Sequence, residues 1–381
     1  MNVRKIRLIN FRNFVDLSIQ FYPSLNIFIG NNAQGKTNII ESIYTLLKGD
    51  SYRTTNDLDL INWNQKKSYI LGEIQQREEY FHINILLQNI NKSTNITNRS
   101  KKIIKVNKKF QKKTWLFKKF NPVIFTPEDL QIVKSSPFLR RKFLDEVIIN
   151  LSPTYYKYLK DYNHILFQRN TLLKSAKSKT DIDQQLAFWD QKIIETGTLI
   201  ILYRIKFLQK INQKAKIFHQ MMTENKESIK LKYNSNIVST YTDEKEQISK
   251  IMDYKIKNAK EKDFHLKVTT AGPHRDDYFI MNNEINLGIY GSQGQQRTAV
   301  LSLKLAELEL LKEKEGEYPP LLLDDVMSEL DLERKRFLVQ LIKNREMQTF
   351  ITSINLDDLT YNKIEKDVKI LRIKDGTVED E

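Results

Sequence analysis

The feature that most constrains the fold is a glycine-rich loop near one end of the chain and a pair of acids near the other. The loop fits the phosphate-binding pattern G-x-x-x-x-G-K-[ST] and consists of Gly30, Asn31, Asn32, Ala33, Gln34, Gly35, Lys36 and Thr37. The acids, Asp324 and Asp325, end the apolar run Leu321–Leu323. Because loop and acids serve one site, we predict an α/β head built from both chain ends, with a second lobe between them.

The residues around the glycine-rich loop have the order strand, loop, helix that a phosphate-binding loop requires. Leu25–Ile29 is a short apolar strand, and Lys36–Leu47 carries apolar residues at helical spacing. Glycines at both ends of the loop let backbone N–H groups surround a phosphate, and the helix directs its N-terminal dipole at the same anion. We therefore predict that the loop binds ATP, with Lys36 bridging the β- and γ-phosphates.

The acid pair supplies the chemistry that the loop lacks. Thr37 offers a hydroxyl to Mg²⁺, and Asp324 would hold that ion through water. Asp325 is placed to orient and deprotonate the attacking water, so Lys36 and Asp325 are the predicted catalytic residues and Thr37 and Asp324 the predicted metal residues. A solvated turn after a strand is the alternative for the two acids taken alone.

A third segment, about thirty residues before the acids, contains Ser292, Gly294 and Gln295 and opens the predicted helix Arg297–Glu313. Its hydroxyl, its backbone amides and the helix dipole form a second anion-binding surface. One head cannot easily wrap both surfaces around one γ-phosphate, so we predict an ATP-dependent homodimer whose copies cap each other's ATP. A Gln/Gly turn before any helix would look similar, but the position before Asp324 favours the nucleotide role.

The hydrophobic pattern divides the chain into three segments. Residues 1–136 read as the first part of the head, 137–262 as an inserted helical lobe of antiparallel helices, and 263–381 as the second part of the head. Long helices are predicted at Phe138–Ile149, Thr154–Lys174 and Ile182–Met222, and short strands at Leu266–Thr269 and Tyr278–Met281. The predicted core strands Leu321–Leu323 and Thr349–Thr352 return to the head.

Charge and composition bear on partners and location. The formal net charge of +15 suggests a nucleic-acid partner, although an AT-rich coding sequence would also give a lysine-rich chain. The chain has no cysteine, no apolar signal core at its N-terminus and no long uncharged apolar run. These features predict a cytoplasmic protein without a membrane partner.

Several further segments, together with the three above, carry a resemblance to a known family. The segments are Asn10–Phe14, Ser51–Thr54, Phe125–Leu130, Arg140–Asp145, Thr270–Asp277, Ser292–Arg297 and Leu322–Val326. The chain resembles the bacterial RecF family over essentially its whole length. Members of this family are ABC-type ATPases related to the heads of SMC and Rad50.

The resemblance implies an ATP-dependent dimer that binds DNA, single-stranded and at single-strand/double-strand junctions. It also implies action with RecO and RecR to load RecA, and hence roles in repair, replication restart and the SOS response. By analogy with related heads, Arg12 is expected to touch the nucleotide phosphates and Arg53 to line the same face; solvated arginines are the alternative. His274 and Arg275 follow a rigid Gly-Pro turn and could pair with Asp276, Asp277 or an anion.

The chain departs from the wider ABC pattern at one position. After the strand Thr349–Thr352, other ABC ATPases carry a histidine that senses the γ-phosphate, whereas this chain reads Ser353-Ile354-Asn355. An amide or a hydroxyl donates a hydrogen bond but does not titrate, so we predict a slow Mg²⁺-dependent ATPase that acts as a switch. Gln131 is a candidate for the glutamine of the Q-loop, with an ordinary surface residue as the alternative.

Two basic segments are candidates for DNA contact. Lys101–Lys119 contains nine lysines and no acid, with Phe110, Trp115 and Phe117 between them. Basic residues neutralise phosphates and aromatic rings stack on exposed bases; the alternative is a lysine-decorated strand pair whose aromatics belong to the core. Arg140 and Arg141, with the helical lobe, form the second candidate surface.

Three other functions fit part of the pattern. An SMC- or Rad50-like head needs coiled coils of hundreds of residues, and the insertion here is too short. The energising subunit of a membrane transporter is opposed by the unusual third segment, the missing histidine, the charge of +15 and the large helical insertion. A non-enzymatic interaction protein, in which ATP is a structural ligand, would bind ATP without turnover.

Overall fold

The computed structural model describes residues 1–90, 100–176, 183–238, 243–355 and 368–380. These residues form two compact units, one of Met1–Asp129 with Glu307–Glu381 and one of Leu130–Ala306. Both ends of the chain thus belong to one unit. The predicted lobe boundaries at 136/137 and 262/263 stay a prediction. The two compact units meet at 129/130 and 306/307 along the chain.

A largely parallel six-stranded sheet organises the first unit. Its strands in spatial order are β15, β14, β3, β13, β12 and β8, and all neighbours are parallel except the β14–β15 hairpin. The strands span Leu25–Ile29 (β3), Val123–Phe125 (β8), Leu321–Leu323 (β12), Thr349–Ser353 (β13), Val368–Lys374 (β14) and Thr377–Asp380 (β15). β3 is buried at every position and is apolar except for Asn26, and β12 is apolar throughout, as is typical of such central strands.

A second, antiparallel sheet completes the first unit, with the order β2-β1-β4-β5-β6-β7. Its strands are Asn2–Phe11 (β1), Phe14–Gln20 (β2), Lys67–Gln76 (β4), Glu79–Asn89 (β5), Ser100–Val106 (β6) and Lys109–Gln111 (β7). Helix α1 (Lys36–Lys48) contacts strands of both sheets, and the short helix α2 (Lys113–Lys119) contacts α1. Alternation of apolar and polar residues therefore places one face of this sheet, including Ile6 and Leu8, in the core.

The second unit is mainly helical. Its helices are Gln131–Lys134 (α3), Pro137–Leu151 (α4), Pro153–Ser175 (α5), Asp183–Met222 (α6), Lys245–Leu266 (α7) and Leu287–Tyr290 (α8). A three-stranded antiparallel sheet of Ile229–Asn234 (β9), Asp277–Asn282 (β10) and Ile285–Asn286 (β11) lies in the same unit. Helix α9 (Gln293–Glu315) begins in the second unit and ends in the first, and helix α10 (Leu332–Asn344) belongs to the first unit.

The long helices agree with the sequence pattern, and one predicted strand is wrong. α4, α5 and α6 lie within a few residues of their predicted bounds, although Ile182 falls outside the described residues. Leu266–Thr269, predicted as a strand, is the end of α7: Leu266 is its last residue, and Lys267 caps it in the left-handed conformation (φ 56°). A short apolar run cannot distinguish a strand from the last turn of a helix.

Buried ion pairs join the helices of the second unit. Arg169 of α5 is fully buried and donates to Asp190 of α6 at 2.8 Å and to Asp263 of α7 at 2.7 Å. Arg204 of α6 forms a second buried pair with Asp145 of α4, at 2.9 Å through two nitrogens. Buried charges of this kind fix which helices pack together, because leaving one unpaired is costly.

Candidate nucleotide site

The parallel sheet places the glycine-rich loop and the acid pair at one edge. The loop follows β3, the acids follow β12, and β13 lies between these two strands. Carboxyl ends of parallel strands share an edge, which is where ligands of α/β folds bind. The Oγ1 of Thr37 donates to Asp324 Oδ1 at 2.9 Å, so residues from both chain ends meet at one pocket.

Neighbouring backbone and side-chain atoms pack closely against the phosphate-binding loop. A Cβ on Gly30 (φ +152°) would lie 2.4 Å from the carbonyl oxygen of Ile373, and one on Gly35 (φ +115°) would lie 2.7 Å from the Asn13 side chain. Gln34 accepts the backbone N–H of Asp375, in the turn of the β14–β15 hairpin, at 2.5 Å. Both glycines are therefore required by close packing as well as by their backbone conformation.

Lys36 is the first residue of α1, and its ammonium group lies inside the phosphate-binding loop. Its Nζ donates to the carbonyl oxygens of Gly30 (2.6 Å) and Asn31 (2.8 Å). Burial lowers the pKa of Lys36, while the carboxylates of Asp325 and Asp324 oppose that shift. A cation held at this position, beside the N-terminus of a helix, is suited to an anion such as phosphate.

Three hydroxyl groups hold the carboxylate of Asp324. Oδ1 accepts from Thr37 and from Thr352 of β13 (3.0 Å), and Oδ2 accepts from the hydroxyl of Tyr52 (2.8 Å). Burial raises the pKa of Asp324, and these hydrogen bonds oppose the rise. A carboxylate and a threonine hydroxyl in contact fit the way Mg²⁺ is bound with nucleotides, through one or two protein oxygens, water and phosphates.

Asp325 has a left-handed backbone, with φ of 53°. Its N–H donates to Thr352 Oγ1 at 2.7 Å, and its carbonyl oxygen accepts from the Ser328 hydroxyl at 2.8 Å. Non-glycine residues in this region are uncommon, although Asp and Asn tolerate it best. The same Ser328 hydroxyl lies 3.1 Å from Asp325 Oδ1, and Asp325 lies at the same sheet edge as Asp324.

A buried glutamate that the sequence did not reveal organises the two predicted phosphate arginines. Glu41 of α1 is fully buried and accepts two bonds from Arg12, at 2.9 and 2.7 Å. It also accepts from Arg53 (3.2 Å) and from the Ser51 hydroxyl (2.6 Å). Arg12 has a left-handed backbone (φ 52°) and an N–H bonded to the carbonyl of Leu60. Arg12 and Asn13 form the two-residue turn between β1 and β2, where a left-handed conformation is usual.

The predicted dimer segment belongs to the second unit and forms a capping box at the start of α9. The hydroxyl of Ser292 accepts the N–H of Gln295 (3.2 Å), and the Gln295 side chain accepts the N–H of Ser292 (3.0 Å). Ser292 and Gly294 are exposed. Among the described residues, a Cβ on Gly294 would approach nothing closer than the Ser292 hydroxyl, at 4.0 Å, so the loop has an open face.

The turn that contains His274 is a packed structural element. The Nε2 of His274 donates to the carbonyl of Thr269 (3.0 Å), so Nδ1 accepts from the hydroxyl of Tyr162 (2.6 Å). Burial lowers the pKa of His274 to about 4, which keeps the ring neutral near pH 7. Asp276 is bound by Tyr233 and Ser235. Arg275 donates to the same Thr269 carbonyl at 3.3 Å. Among the described residues, neither His274 nor Arg275 pairs with Asp276 or Asp277, so that expectation is wrong. Gln131 begins the short helix α3, and its role in a Q-loop stays a prediction.

The two basic segments differ in how far their side chains are already engaged. Arg140 forms a bidentate pair with Asp277 at 2.7 Å, and Arg141 donates to the carbonyl of Asp276. In Lys101–Lys119, Lys102 pairs with Asp50 and Asp57, and Trp115 packs against Phe81 and Phe120.

Other members of the same segment face solvent. Phe110 is 72% exposed, with Lys105 over its ring at 4.7 Å. Within the described ranges, no carboxylate lies within salt-bridge distance of Lys105 or Lys108. The segment is therefore partly core and partly basic surface. Its helix contributes to the core, and its strands carry exposed lysines.

These cations line a groove on the outer face of the antiparallel sheet. The groove has a volume of about 450 Å³. Its charged lining consists of Lys5, Arg7, Glu73, His82, Lys105 and Lys108. Arg7 also pairs with Asp16 at 2.7 Å, but both side chains are about half exposed, so that pair is weak. The groove is thus a basic surface.

Comparison with known proteins gives consistent matches over the full length. A family model described as the RecF/RecN/SMC N-terminal domain matches residues 2–379. The DNA replication and repair protein RecF of Alkaliphilus oremlandii is 43% identical, with 94% of this chain and 95% of that protein covered. RecF of Clostridium perfringens is 40% identical over the whole of both chains.

Solved structures agree with the sequence matches. The recombination mediator protein RecF with ATP, in the RecFOR pathway, superposes with a TM-score of 0.86 at 33% identity, covering 100% of this chain and 99% of that one. The Pyrococcus furiosus Smc head has a TM-score of 0.55 at 16% identity, covering 100% and 95%, which shows the fold alone. The predicted fold class, an α/β ABC-type ATPase head, is confirmed. No helix among the described residues could span a membrane.

Proposed function

Since this chain belongs to the RecF family, we propose that it is an ATP-dependent DNA-binding protein of recombinational repair and replication restart. The observation that carries this proposal is the 2.9 Å contact between Thr37 and Asp324, which joins the phosphate loop and the acidic strand end in one pocket. Lys36 and the loop amides bind the phosphates, and Thr37 and Asp324 hold Mg²⁺, which neutralises phosphate charge when bound. Arg12, positioned by Glu41, contributes a further cation.

Dimerisation completes the pocket in this proposal. The capped Ser292 keeps its hydroxyl proton available, and Gly294 offers a backbone amide at the N-terminus of α9, whereas the N–H of Gln295 is used by the cap. A hydroxyl and an amide at a helix N-terminus are suited to a γ-phosphate. Each copy therefore caps the ATP of the other. Asp325 activates water, and turnover is slow because Ser353 and Asn355 stand where other ABC ATPases have a titratable histidine. The resulting switch is cytoplasmic and has no membrane partner.

DNA is the partner that the charge and the family favour. We place its backbone on the basic groove of the antiparallel sheet, where Lys105 and Lys108 lack a carboxylate partner among the described residues. The exposed ring of Phe110 is suited to stack on an unpaired base, as at a single-strand/double-strand junction. The RecFOR pathway named for the ATP-bound relative supports RecO and RecR as partners. Loading of RecA is the outcome that the family resemblance implies.

Neutralising two groove lysines tests the DNA surface. For Lys105→Gln with Lys108→Gln we expect weaker binding of gapped DNA in ATP, and a log–log salt slope smaller by about 1.8, since each phosphate contact contributes about 0.9. The measurement is fluorescence anisotropy at several salt concentrations. The matched control changes Lys230 and Lys232, which are exposed on β9, to Gln.

Three results would contradict the DNA proposal. An unchanged slope in the groove variant would move the DNA elsewhere, and a reduced slope in the β9 control would move it to the second unit. Equal affinity for DNA in ATP and in ADP would remove the ATP dependence.

A further inference from the structure

We propose that Tyr52 is a positioning residue of the metal site, whose hydroxyl sets the orientation of the Asp324 carboxylate. This role rests on the nucleotide site proposed above. It adds a residue that lies outside the phosphate loop and the acidic strand end, in the segment between α1 and β4.

The hydrogen bonds of Asp324 occupy most of the acceptor positions on its carboxylate. Each carboxylate oxygen offers about two acceptor positions. Oδ1 receives the hydroxyls of Thr37 (2.9 Å) and Thr352 (3.0 Å), so both of its positions are used. The described residues supply Oδ2 with one donor, Tyr52 at 2.8 Å, which leaves one position for a metal-bound water. Tyr52 therefore decides where that remaining lone pair points.

Contacts of Tyr52 and of its two chain neighbours fix the position of its hydroxyl group. Its ring packs edge-on against Tyr44, with centroids 5.5 Å apart and an interplanar angle of 77°. Its neighbours on both sides, Ser51 and Arg53, are bonded to the buried Glu41. The phenol, protonated near neutral pH as an ordinary tyrosine is, donates to Asp324 Oδ2. The segment thus connects the arginine-binding Glu41 with the metal-binding Asp324.

Removal of the Tyr52 hydroxyl is expected to weaken Mg²⁺ binding and to leave metal-free ATP binding nearly unchanged. Groups that orient a metal-binding residue typically contribute about 10- to 100-fold in metal affinity. For Tyr52→Phe, which keeps the ring, we expect the Mg²⁺ concentration at half-saturation of the ATP complex to rise about tenfold. ATP binding in excess EDTA should stay within about twofold of the wild type, because Tyr52 acts on the metal through Asp324.

The experiment titrates Mg²⁺, and separately Mn²⁺ followed by its electron paramagnetic resonance signal, into the ATP complexes of wild type and variant. The control is Tyr80→Phe, which removes the hydroxyl of a tyrosine on β5 that is 52% exposed. A shift in Tyr52→Phe alone, with EDTA binding unchanged, is the expected result. An unchanged midpoint would overturn the role of Tyr52 while leaving the nucleotide site intact. Equal losses with and without metal would also overturn it, and a wild type that binds no ATP would overturn the nucleotide site itself.

Discussion

Replacement of Lys36 by alanine is expected to weaken ATP binding by about 30-fold or more. The ammonium is held inside the phosphate loop by the carbonyls of Gly30 and Asn31, where it would meet the anion. Loss of one partner of such a desolvated charge contact costs about 2–5 kcal/mol, which corresponds to roughly 30-fold to several thousand-fold in Kd. The variant should consequently lose ATP-dependent dimerisation.

Titration with a fluorescent ATP analogue measures this loss. Lys66→Ala is the matched control, because Lys66 is an exposed lysine of the same unit. The thermal unfolding midpoint of each variant shows whether the fold is retained. An affinity for ATP within about threefold of the wild type, about 0.65 kcal/mol, would remove Lys36 from the site.

Asp325→Asn is expected to lower the rate of ATP hydrolysis by about 10²–10⁴-fold, the usual contribution of a general base. Asparagine keeps the shape of the side chain and tolerates the left-handed backbone (φ 53°), so the turn after β12 should persist. ATP binding and dimerisation should remain, and the variant should accumulate as the ATP-bound dimer. Single-turnover hydrolysis of radiolabelled ATP is the appropriate measurement, because the wild-type rate is itself expected to be slow.

The control for this variant is Asp16→Asn, which makes the same chemical change at an exposed ion pair with Arg7. Hydrolysis by the control should match that of the wild type. If Asp325→Asn hydrolyses ATP at the wild-type rate, another group activates the water, and the assignment of Asp325 is wrong.

Local patterns were enough to predict the parts of the site that lie within one stretch of chain. The order of β3, loop and α1 follows from an apolar run, two glycines and a helical period, and the structure has these elements within a residue of the predicted bounds. The pair Asp324 and Asp325 was recognisable because a buried strand ends there. Both patterns are local, so one sequence contains them in full.

The contacts that the sequence did not reveal join residues across long separations. Tyr52 meets Asp324, and Gln34 is bound by the turn at Asp375, although no pattern near either residue indicates its partner. Glu41 reads as a polar residue in an amphipathic helix, yet it is fully buried because it pairs with Arg12 and Arg53. The strand β9 was missed since only six residues form it and they lie between two long helices.

The most direct test of a pocket shared by two copies is the mass of the particle in solution, measured by light scattering with Mg·ATP. We expect the wild type to have twice the 45.2 kDa mass of one chain in ATP and the mass of one chain in ADP. Lys36→Ala and Ser292→Arg should each remain single chains. Their equimolar mixture should recover part of the dimer. A mixed dimer has one intact pocket, formed by the phosphate loop of Ser292→Arg and the Ser292 segment of Lys36→Ala, while its second pocket carries both changes. A wild type that keeps the mass of one chain at saturating Mg·ATP, with and without gapped duplex DNA, would contradict the account.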